Sequence, residues 1–137
     1  MNRIIAVFGH AQCGKSSSIN YVREMLRENG ESLSLNPPYT GDRCETFRYK
    51  KQIICVCPGG DTKEVIEANF KYSICKNADI VITGCRSKGA PVKVVEKYAD
   101  SCDIDIEWRR KCVEYYLSKE ICTLCNKEFA QMIFDML

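Results

Sequence analysis

The densest group of chemically useful residues lies near the start of the chain. An eight-residue string there fits the pattern G-x-x-x-x-G-K-[ST], and it reads Gly9-His10-Ala11-Gln12-Cys13-Gly14-Lys15-Ser16. In a loop of this pattern, successive backbone N–H groups and the positive end of the following helix bind phosphate oxygens. The lysine reaches the outer phosphates, and the serine hydroxyl is a ligand for Mg²⁺. The string therefore predicts a site for the phosphates of a nucleotide.

The expected ligand is ATP or another nucleoside triphosphate, bound with Mg²⁺. Lys15 is expected to act on the phosphates during the reaction, and Ser16 is expected to bind the metal. The residues expected to contact the nucleotide are Gly9, His10, Ala11, Gln12, Cys13, Gly14, Lys15, Ser16 and Ser17.

Asp61 is the best candidate for a carboxylate at this site. It follows a Pro-Gly-Gly turn at residues 58–60, which we place at the carboxyl end of a strand beside the loop of residues 9–16. There it would join the Mg²⁺ shell or orient an attacking water. Asp61 also fits a second interpretation, because with Glu64 it makes a capping-box pattern that opens a helix. The two interpretations are compatible, and both stay open.

Two further candidates come from other loops. Arg86 and Lys88 follow the next predicted strand, where a cation could stabilise charge on a transferring phosphoryl group or hold a second substrate. The alternative is that both are solvated loop charges. Thr40 lies in a long loop, residues 31–43, which has no periodicity and is a candidate moving part.

The surrounding pattern predicts alternating strands and helices. An apolar run at Ile4–Phe8 predicts a buried parallel strand, and apolar residues at helical spacing from Ser16 to about Asn29 predict a helix. The later elements are an antiparallel hairpin (Thr46–Tyr49 and Ile53–Cys57), a helix opened by Asp61, a strand (Asp79–Thr83), a helix from Pro91, an edge strand near Asp103–Trp108, and a helix from about Cys112 to the end. The order predicts one α/β domain spanning 1–137, with three layers and a mainly parallel sheet of about five strands.

The last predicted helix carries a long apolar stripe that would cover one side of the sheet. The residues Met132 to Leu137 could exceed one core face and form a homodimer interface. The stripe contains Val113, Leu117, Ile121, Leu124, Phe129, Met132, Ile133 and Met136.

Composition excludes several classes of protein. Apolar residues make up 45% of the 137 residues and the net charge is +2, so neither a disordered chain nor a basic nucleic-acid binder is indicated. No apolar stretch approaches the roughly 18 residues that span a membrane. We therefore expect a cytoplasmic protein without a membrane or nucleic-acid partner. The ten cysteines are expected to be reduced and mostly buried.

The longer string from Gly9 to Asn20 resembles the P-loop of the Era-type GTPases, in which an Asn usually stands at the place of Gln12. That resemblance implies a switch loop, with Thr40 ordered by Mg²⁺ and the γ-phosphate, followed by a hairpin and a D-x-x-G motif. Cys57 stands at the place of the motif's Asp, and the chain has no N-K-x-D motif. These departures argue against guanine specificity.

Nearly the whole chain resembles a family of small uncharacterised bacterial P-loop NTPases that are generally described as ATP-binding. That family has a G-D pair after the third strand and an A-T-R-[ST]-[KR]-G-like segment after the fourth. This chain has Gly60-Asp61 and the segment 83–89, which reads TGCRSKG, at those places. The resemblance implies the three-layer P-loop NTPase fold and a bound ATP.

Three functions fit these observations. The leading one is a slow Mg²⁺-dependent NTPase whose nucleotide state orders the 31–43 loop, and with it a surface for an unidentified protein partner. The second is a small-molecule kinase that uses Arg86 and Lys88 to hold its acceptor. The third is a nucleotide sensor without catalysis.

Overall fold

The computed structural model describes residues 1–10, 13–112 and 118–137. Strands and helices alternate along the chain, as the sequence pattern predicts. The strands are β1 (Arg3–Gly9), β2 (Glu31–Ser32), β3 (Glu45–Tyr49), β4 (Gln52–Cys57), β5 (Ile80–Arg86) and β6 (Ile106–Arg110). The helices are α1 (Lys15–Asn29), α2 (Lys63–Cys75), α3 (Ala90–Cys102) and α4 (Lys119–Asp135).

The sheet has six strands in the order β2-β3-β4-β5-β1-β6. Neighbours from β4 to β6 are parallel, whereas β3 is antiparallel to both β2 and β4. The hairpin between β3 and β4 turns at Lys50 and Lys51, which both have positive φ, as a tight two-residue turn requires. The α/β class and the mainly parallel sheet are confirmed. The sixth strand was missed, because Glu31 and Ser32 pair with β3 instead of belonging to the loop.

Each face of the sheet is covered by two helices, and this explains why the central strands are apolar along their whole length. On one face, α1 and α4 pack against β1, β4 and β5 through residues such as Ile19, Leu26 and Ile133. On the other face, α2 and α3 contribute Phe70 and Val95. The result is a three-layer arrangement that places the carboxyl ends of all four parallel strands at one rim.

Strand β4 is not a neighbour of β1, because β5 lies between them and pairs with both. The apolar runs of β4 and β5 are alike, so their sequence does not say which of them lies next to β1. Consequently Arg86, which ends β5, is in register with Gly9.

Two helix boundaries also differ from the prediction. Helix α2 is capped by Thr62, whose hydroxyl accepts a hydrogen bond from the Val65 N–H, so the Asp61 cap is wrong. Helix α4 begins at Lys119 after the Ser118 cap.

The predicted stripe on the last helix is wrong at three of the six stripe positions that the structure describes. Ile121, Leu124 and Met132 are exposed, while Phe134, Met136 and Leu137 pack against the protein's own core. Val113 and Leu117 lie outside the described residues. In the described part of the chain, no helix has the length and apolarity needed to cross a bilayer.

Candidate functional site

The start of α1 differs from the starts of α2 and α4. Gly14 has a left-handed backbone conformation (φ +93°). The first hydrogen bond of the helix runs from the Ser18 N–H to the Gly14 carbonyl. Helix α1 has no side-chain cap and no acidic residue in its first turn, whereas α2 and α4 have both. The start of α1 thus lacks a capping side chain and an acidic residue of its own, as does the start of α3, and its N–H groups can bind an anion.

Crowding by the backbone requires glycine at position 9, and the positive φ of +93° favours glycine at position 14. A Cβ on Gly9 would lie 2.5 Å from the Lys111 carbonyl oxygen and 2.8 Å from Cys13 Sγ. A Cβ on Gly14 would overlap the side-chain amide of Asn126, which reaches the loop from α4. Sequence reasoning missed Asn126 because it lies within an apolar helix stripe far along the chain.

Lys15 is buried, and its ammonium group is turned onto the loop itself. Nζ donates to the Gly9 carbonyl at 2.8 Å and to the His10 carbonyl at 3.3 Å. It also lies 3.8 Å from Asp61 Oδ1. The charge thus lies inside the turn that the pattern assigns to phosphates. His10 and Ser17 are exposed, and the expected contacts of Ala11 and Gln12 lie outside the described residues.

Asp61 joins Lys15 and Arg86 at the rim. Arg86 Nε lies 3.2 Å from Asp61 Oδ1, without the alignment of a hydrogen bond. The Asp61 side chain is 64% exposed and that of Arg86 is 41% exposed. We call Lys15, Asp61 and Arg86 the rim cluster. Lys88, the other predicted cation, is exposed.

Ser16 meets a carboxylate that the sequence did not single out. Its hydroxyl lies 3.3 Å from Asp42 Oδ1 and 3.3 Å from the Pro58 carbonyl oxygen. Thr40 is exposed, and its hydroxyl has no hydrogen-bond partner among the described residues. In the sequence, Asp42 is marked only by the Gly41-Asp42 pair inside the long loop. The resemblance to the GTPases favoured Thr40, two residues earlier, as the metal ligand.

The segment that carries Asp42 is held by α1 through its backbone. Arg23 donates to the carbonyls of Gly41 and Arg43, and Arg27 donates to the carbonyl of Tyr39. The counter-charge is Glu45, which is fully buried and lies 2.6 Å from Arg27 and 3.9 Å from Arg23. Burial lowers the pKa of Arg23, and the Glu45 charge opposes that shift. We call Arg23, Arg27 and Glu45 the buried cluster.

The carboxyl ends of β4 and β5 touch through two glycines. A Cβ on Gly60 would overlap the backbone of Gly84, and one on Gly84 would lie 2.6 Å from the Pro58 carbonyl oxygen. Asn69 of α2 holds the same turn, because its Nδ2 donates to the Gly59 carbonyl at 2.8 Å. This packing fixes the backbone that carries Asp61.

A cavity of about 550 Å³ lies between the segment 34–44 and α2. Its walls include Asp42, Cys44, Val65, Asn69 and Tyr72. Because Asp42 lies at both the cavity and the Ser16 hydroxyl, the cavity adjoins the rim. Its volume is in the range of pockets that hold small molecules.

Among the described residues, no group of three or more His, Cys, Asp or Glu side chains is arranged to hold a metal ion by itself. All ten cysteines are free thiols, and only Cys13, Cys55, Cys57 and Cys85 are buried, so the expectation of mostly buried cysteines is wrong.

No protein-family model, curated protein or solved structure matches this chain.

Proposed function

We propose that this chain binds a nucleoside triphosphate, preferably ATP, as its magnesium complex and hydrolyses it slowly. The observation that carries the proposal is the strand-loop-helix unit from β1 to α1, with a buried lysine and an uncapped helix start. The phosphates would replace the Gly9 and His10 carbonyls as partners of Lys15. The N–H groups of Lys15, Ser16 and Ser17, at the start of α1, would donate to phosphate oxygens.

Ser16 and Asp42 fit Mg²⁺. Both offer oxygen atoms, which this ion prefers, and it binds proteins through one or two carboxylates while keeping waters and phosphate oxygens. Neighbouring oxygens around an octahedral Mg²⁺ ion lie about 3 Å apart, close to the 3.3 Å between the Ser16 and Asp42 oxygens. The ion would neutralise phosphate charge. We therefore assign the metal to Ser16 and Asp42, in place of Thr40.

The rim cluster supports the hydrolytic part of the proposal. Arg86 would stabilise negative charge on the transferring phosphoryl group. Asp61 would accept a hydrogen bond from the attacking water and orient it. Because Asp61 is 64% exposed, it would hold that water loosely. Turnover is therefore expected to be slow.

Asp42 also explains how the nucleotide would control the loop. It contacts Ser16 at one end of a segment whose backbone is tied to α1. Nucleotide binding would strengthen the link at Asp42, and hydrolysis would weaken it. A protein partner would then recognise the 31–43 loop in one nucleotide state.

The first test is thermal denaturation of the reduced protein with Mg²⁺ and ATP, GTP, ADP or a non-hydrolysable ATP analogue. At 100 times the dissociation constant, a ligand stabilises the folded state by about 2.7 kcal/mol. We expect stabilisation by ATP that Lys15→Met abolishes, while Lys71→Met, at an exposed position of α2, retains it. Absence of a shift with every nucleotide, or an equal shift in Lys15→Met, would contradict the proposal.

A second pair of variants tests the metal assignment. We expect Asp42→Asn to remove the dependence of ATP affinity on Mg²⁺, because it removes the charged ligand. Thr40→Ala is the matched control and is expected to keep that dependence. Titration calorimetry with and without Mg²⁺ measures the ATP affinity of both variants. If Thr40→Ala lost the Mg²⁺ dependence and Asp42→Asn kept it, the metal ligand would be Thr40 instead of Asp42.

One observation favours a second candidate, phosphoryl transfer to a small acceptor. The 550 Å³ cavity adjoins Asp42 and so offers an acceptor a place near the phosphates. Phosphate release from ATP in water alone would favour the hydrolase. Consumption of ATP only after addition of a small-molecule mixture would favour the transferase, and binding without consumption would favour the sensor.

A further inference from the structure

Three cysteines lie together on the sheet face that α2 covers. The hairpin register pairs Glu45 with Val56 and Thr46 with Cys55. Continued by one position, it places Cys44 directly opposite Cys57. Side chains that are directly opposite in an antiparallel pair share a face, with Cβ atoms about 4.5–5.5 Å apart. Disulfides need Cβ atoms about 3.5–4.5 Å apart, so a small shift would suffice to join Cys44 and Cys57.

The two thiols differ in access. Cys44 is half-buried and lines the 550 Å³ cavity, where its thiol donates to Asn69 Oδ1 at 3.4 Å. Cys57 is fully buried behind it, with its sulfur 3.9 Å from Ser73 Oγ. A reagent entering through the cavity therefore meets Cys44 first.

Burial also lowers the reactivity of the inner thiol. It raises the pKa of Cys57 well above its ordinary value, and the thiolate is the nucleophile. Cys57 is therefore not the thiol that a reagent modifies first, which leaves that step to Cys44 at the cavity.

We propose that Cys44 and Cys57 are a reactive thiol pair that a low-molecular-weight disulfide, R–S–S–R, converts into an intramolecular disulfide. The Cys44 thiolate attacks one sulfur of R–S–S–R, forms Cys44–S–S–R and releases RS⁻, which takes up the proton that Cys44 has lost. The Cys57 sulfur then attacks Cys44 Sγ and displaces the second RS⁻, which takes up the Cys57 proton. The two protein thiols lose two electrons in total, and R–S–S–R is reduced to two R–SH.

This site has one consequence that rests on the proposed function. Asp42 lies two residues before Cys44, and Pro58 directly follows Cys57. Both contact the Ser16 hydroxyl. The disulfide would therefore tie together the two chain segments that meet at the expected metal ligand and alter nucleotide binding there.

The experiment treats the full, reduced chain with glutathione disulfide, blocks free thiols with N-ethylmaleimide, and maps tryptic peptides by mass spectrometry. Cys44 falls in the peptide 44–48, while Cys55 and Cys57 share the peptide 52–63. We expect a cross-link between these peptides that fragmentation assigns to Cys57. A cross-link to Cys55, or the absence of any cross-link while exposed Cys75 is glutathionylated, would overturn the proposal.

Variants separate the two steps. Cys57→Ala is expected to trap glutathione on Cys44, because the resolving thiol is missing. Cys44→Ser is expected to abolish the cross-link and leave Cys57 unmodified, whereas Cys75→Ala should change neither result. If Cys57→Ala does not fold, wild-type mapping and Cys44→Ser decide alone. Modification of Cys57 in Cys44→Ser would contradict the assigned order.

A final comparison separates this proposal from the proposed function. The ATP-induced thermal shift is measured on the reduced and the cross-linked protein. A cross-link with no ATP shift in either form would preserve the thiol pair and refute the nucleotide site. An ATP shift in a protein that forms no cross-link would refute the thiol pair alone.

Discussion

The buried cluster and the rim cluster each join one carboxylate to two cations, but the carboxylate is buried in the first cluster and exposed in the second. In the buried cluster, Glu45 is 0% exposed and Arg23 is 1% exposed. The guanidinium groups of Arg23 and Arg27 also donate to backbone carbonyls. In the rim cluster, Asp61 is 64% exposed and holds two cations at 3.2 and 3.8 Å. The first arrangement satisfies its charges internally, and the second leaves them available to an incoming anion.

This difference separates charges that hold the fold from charges that could do chemistry. Taking ions out of water costs several kcal/mol each, so a buried pair persists only when its partners are complete. Exposed pairs contribute about 0–1 kcal/mol and can exchange partners freely. Removal of the carboxylate charge should therefore lower the free energy of unfolding in the buried cluster. In the rim cluster, the same kind of change should instead alter how ligands bind and react.

The largest expected effect is the loss of protein stability when the buried cluster is broken. Glu45→Gln leaves Arg23 and Arg27 without their counter-charge, and we expect the free energy of unfolding to fall by about 3–5 kcal/mol. The matched control is Glu31→Gln, which removes an exposed partner 3.6 Å from Arg48 and should cost under about 1 kcal/mol. Urea unfolding measures both, and equal losses would break the distinction.

The next effect concerns chemistry at the rim cluster. Asp61→Asn removes the carboxylate that would orient water, and we expect turnover of ATP to fall about 100-fold. ATP affinity should not weaken, since the variant releases Lys15 and Arg86 from an anion that competes with phosphate. Steady-state phosphate release and calorimetry separate the two. Weaker ATP binding with unchanged turnover would show that Asp61 is not part of the catalytic machinery.

A smaller effect distinguishes Asp61 from its neighbour. Thr62→Ala removes the hydroxyl that caps α2 and should lower the free energy of unfolding by about 1 kcal/mol. Asp61→Ala should leave stability nearly unchanged, because Asp61 is exposed and does not cap the helix. Chemical denaturation of the two alanine variants gives the answer. A larger loss for Asp61→Ala would restore the capping role that the sequence pattern suggested.

The smallest effect comes from a pair of intermediate exposure. Arg3 donates through two nitrogens to Glu107, each at 2.8 Å, and both side chains are about 30% exposed. The Arg3 hydrogen bonds hold the pKa of Glu107 below its ordinary value, against partial burial. Their contribution is therefore complete above pH ~4.3 and is lost as the pH falls through the lower folded pKa.

Comparison with Glu107→Gln measures that contribution. The difference in unfolding free energy between the wild type and this variant should be under about 1 kcal/mol at pH 7. It should disappear in acid, while contributions from the other carboxyls cancel in the difference. A difference that is independent of pH would mean that the pair acts through packing and not through charge.

The fold was largely predictable because its strongest signals are local. Apolar runs marked β1, β4 and β5, and helical spacing marked α1 to within one residue. Strand order was not predictable, since it depends on contacts such as Gly60 against Gly84 that have no pattern in the sequence. The first half of α4 misled the prediction because exposed Ile121 and Leu124 continue an apolar spacing without being buried.

The site was predictable only in part for a similar reason. The glycine-lysine-serine string is contiguous, so Lys15 and Ser16 could be named from the sequence. Asp42 and Asn126 reach the same place from a loop and from the last helix, and only tertiary packing unites them. The capping-box pattern placed the helix cap at Asp61, one residue too early. The N-cap of α2 is Thr62, and the Asp61 carboxylate faces Arg86 instead.

The contact between Gly60 and Gly84 limits how this protein can vary during evolution. A methyl group on Gly60 would overlap the backbone of Gly84, whatever happens at the rim. Variants that keep this fold would retain both glycines even if they bound no ligand at the rim. Lys15 is under no such packing constraint, because among the described residues its ammonium group contacts only the carbonyls of its own loop and the exposed Asp61 carboxylate.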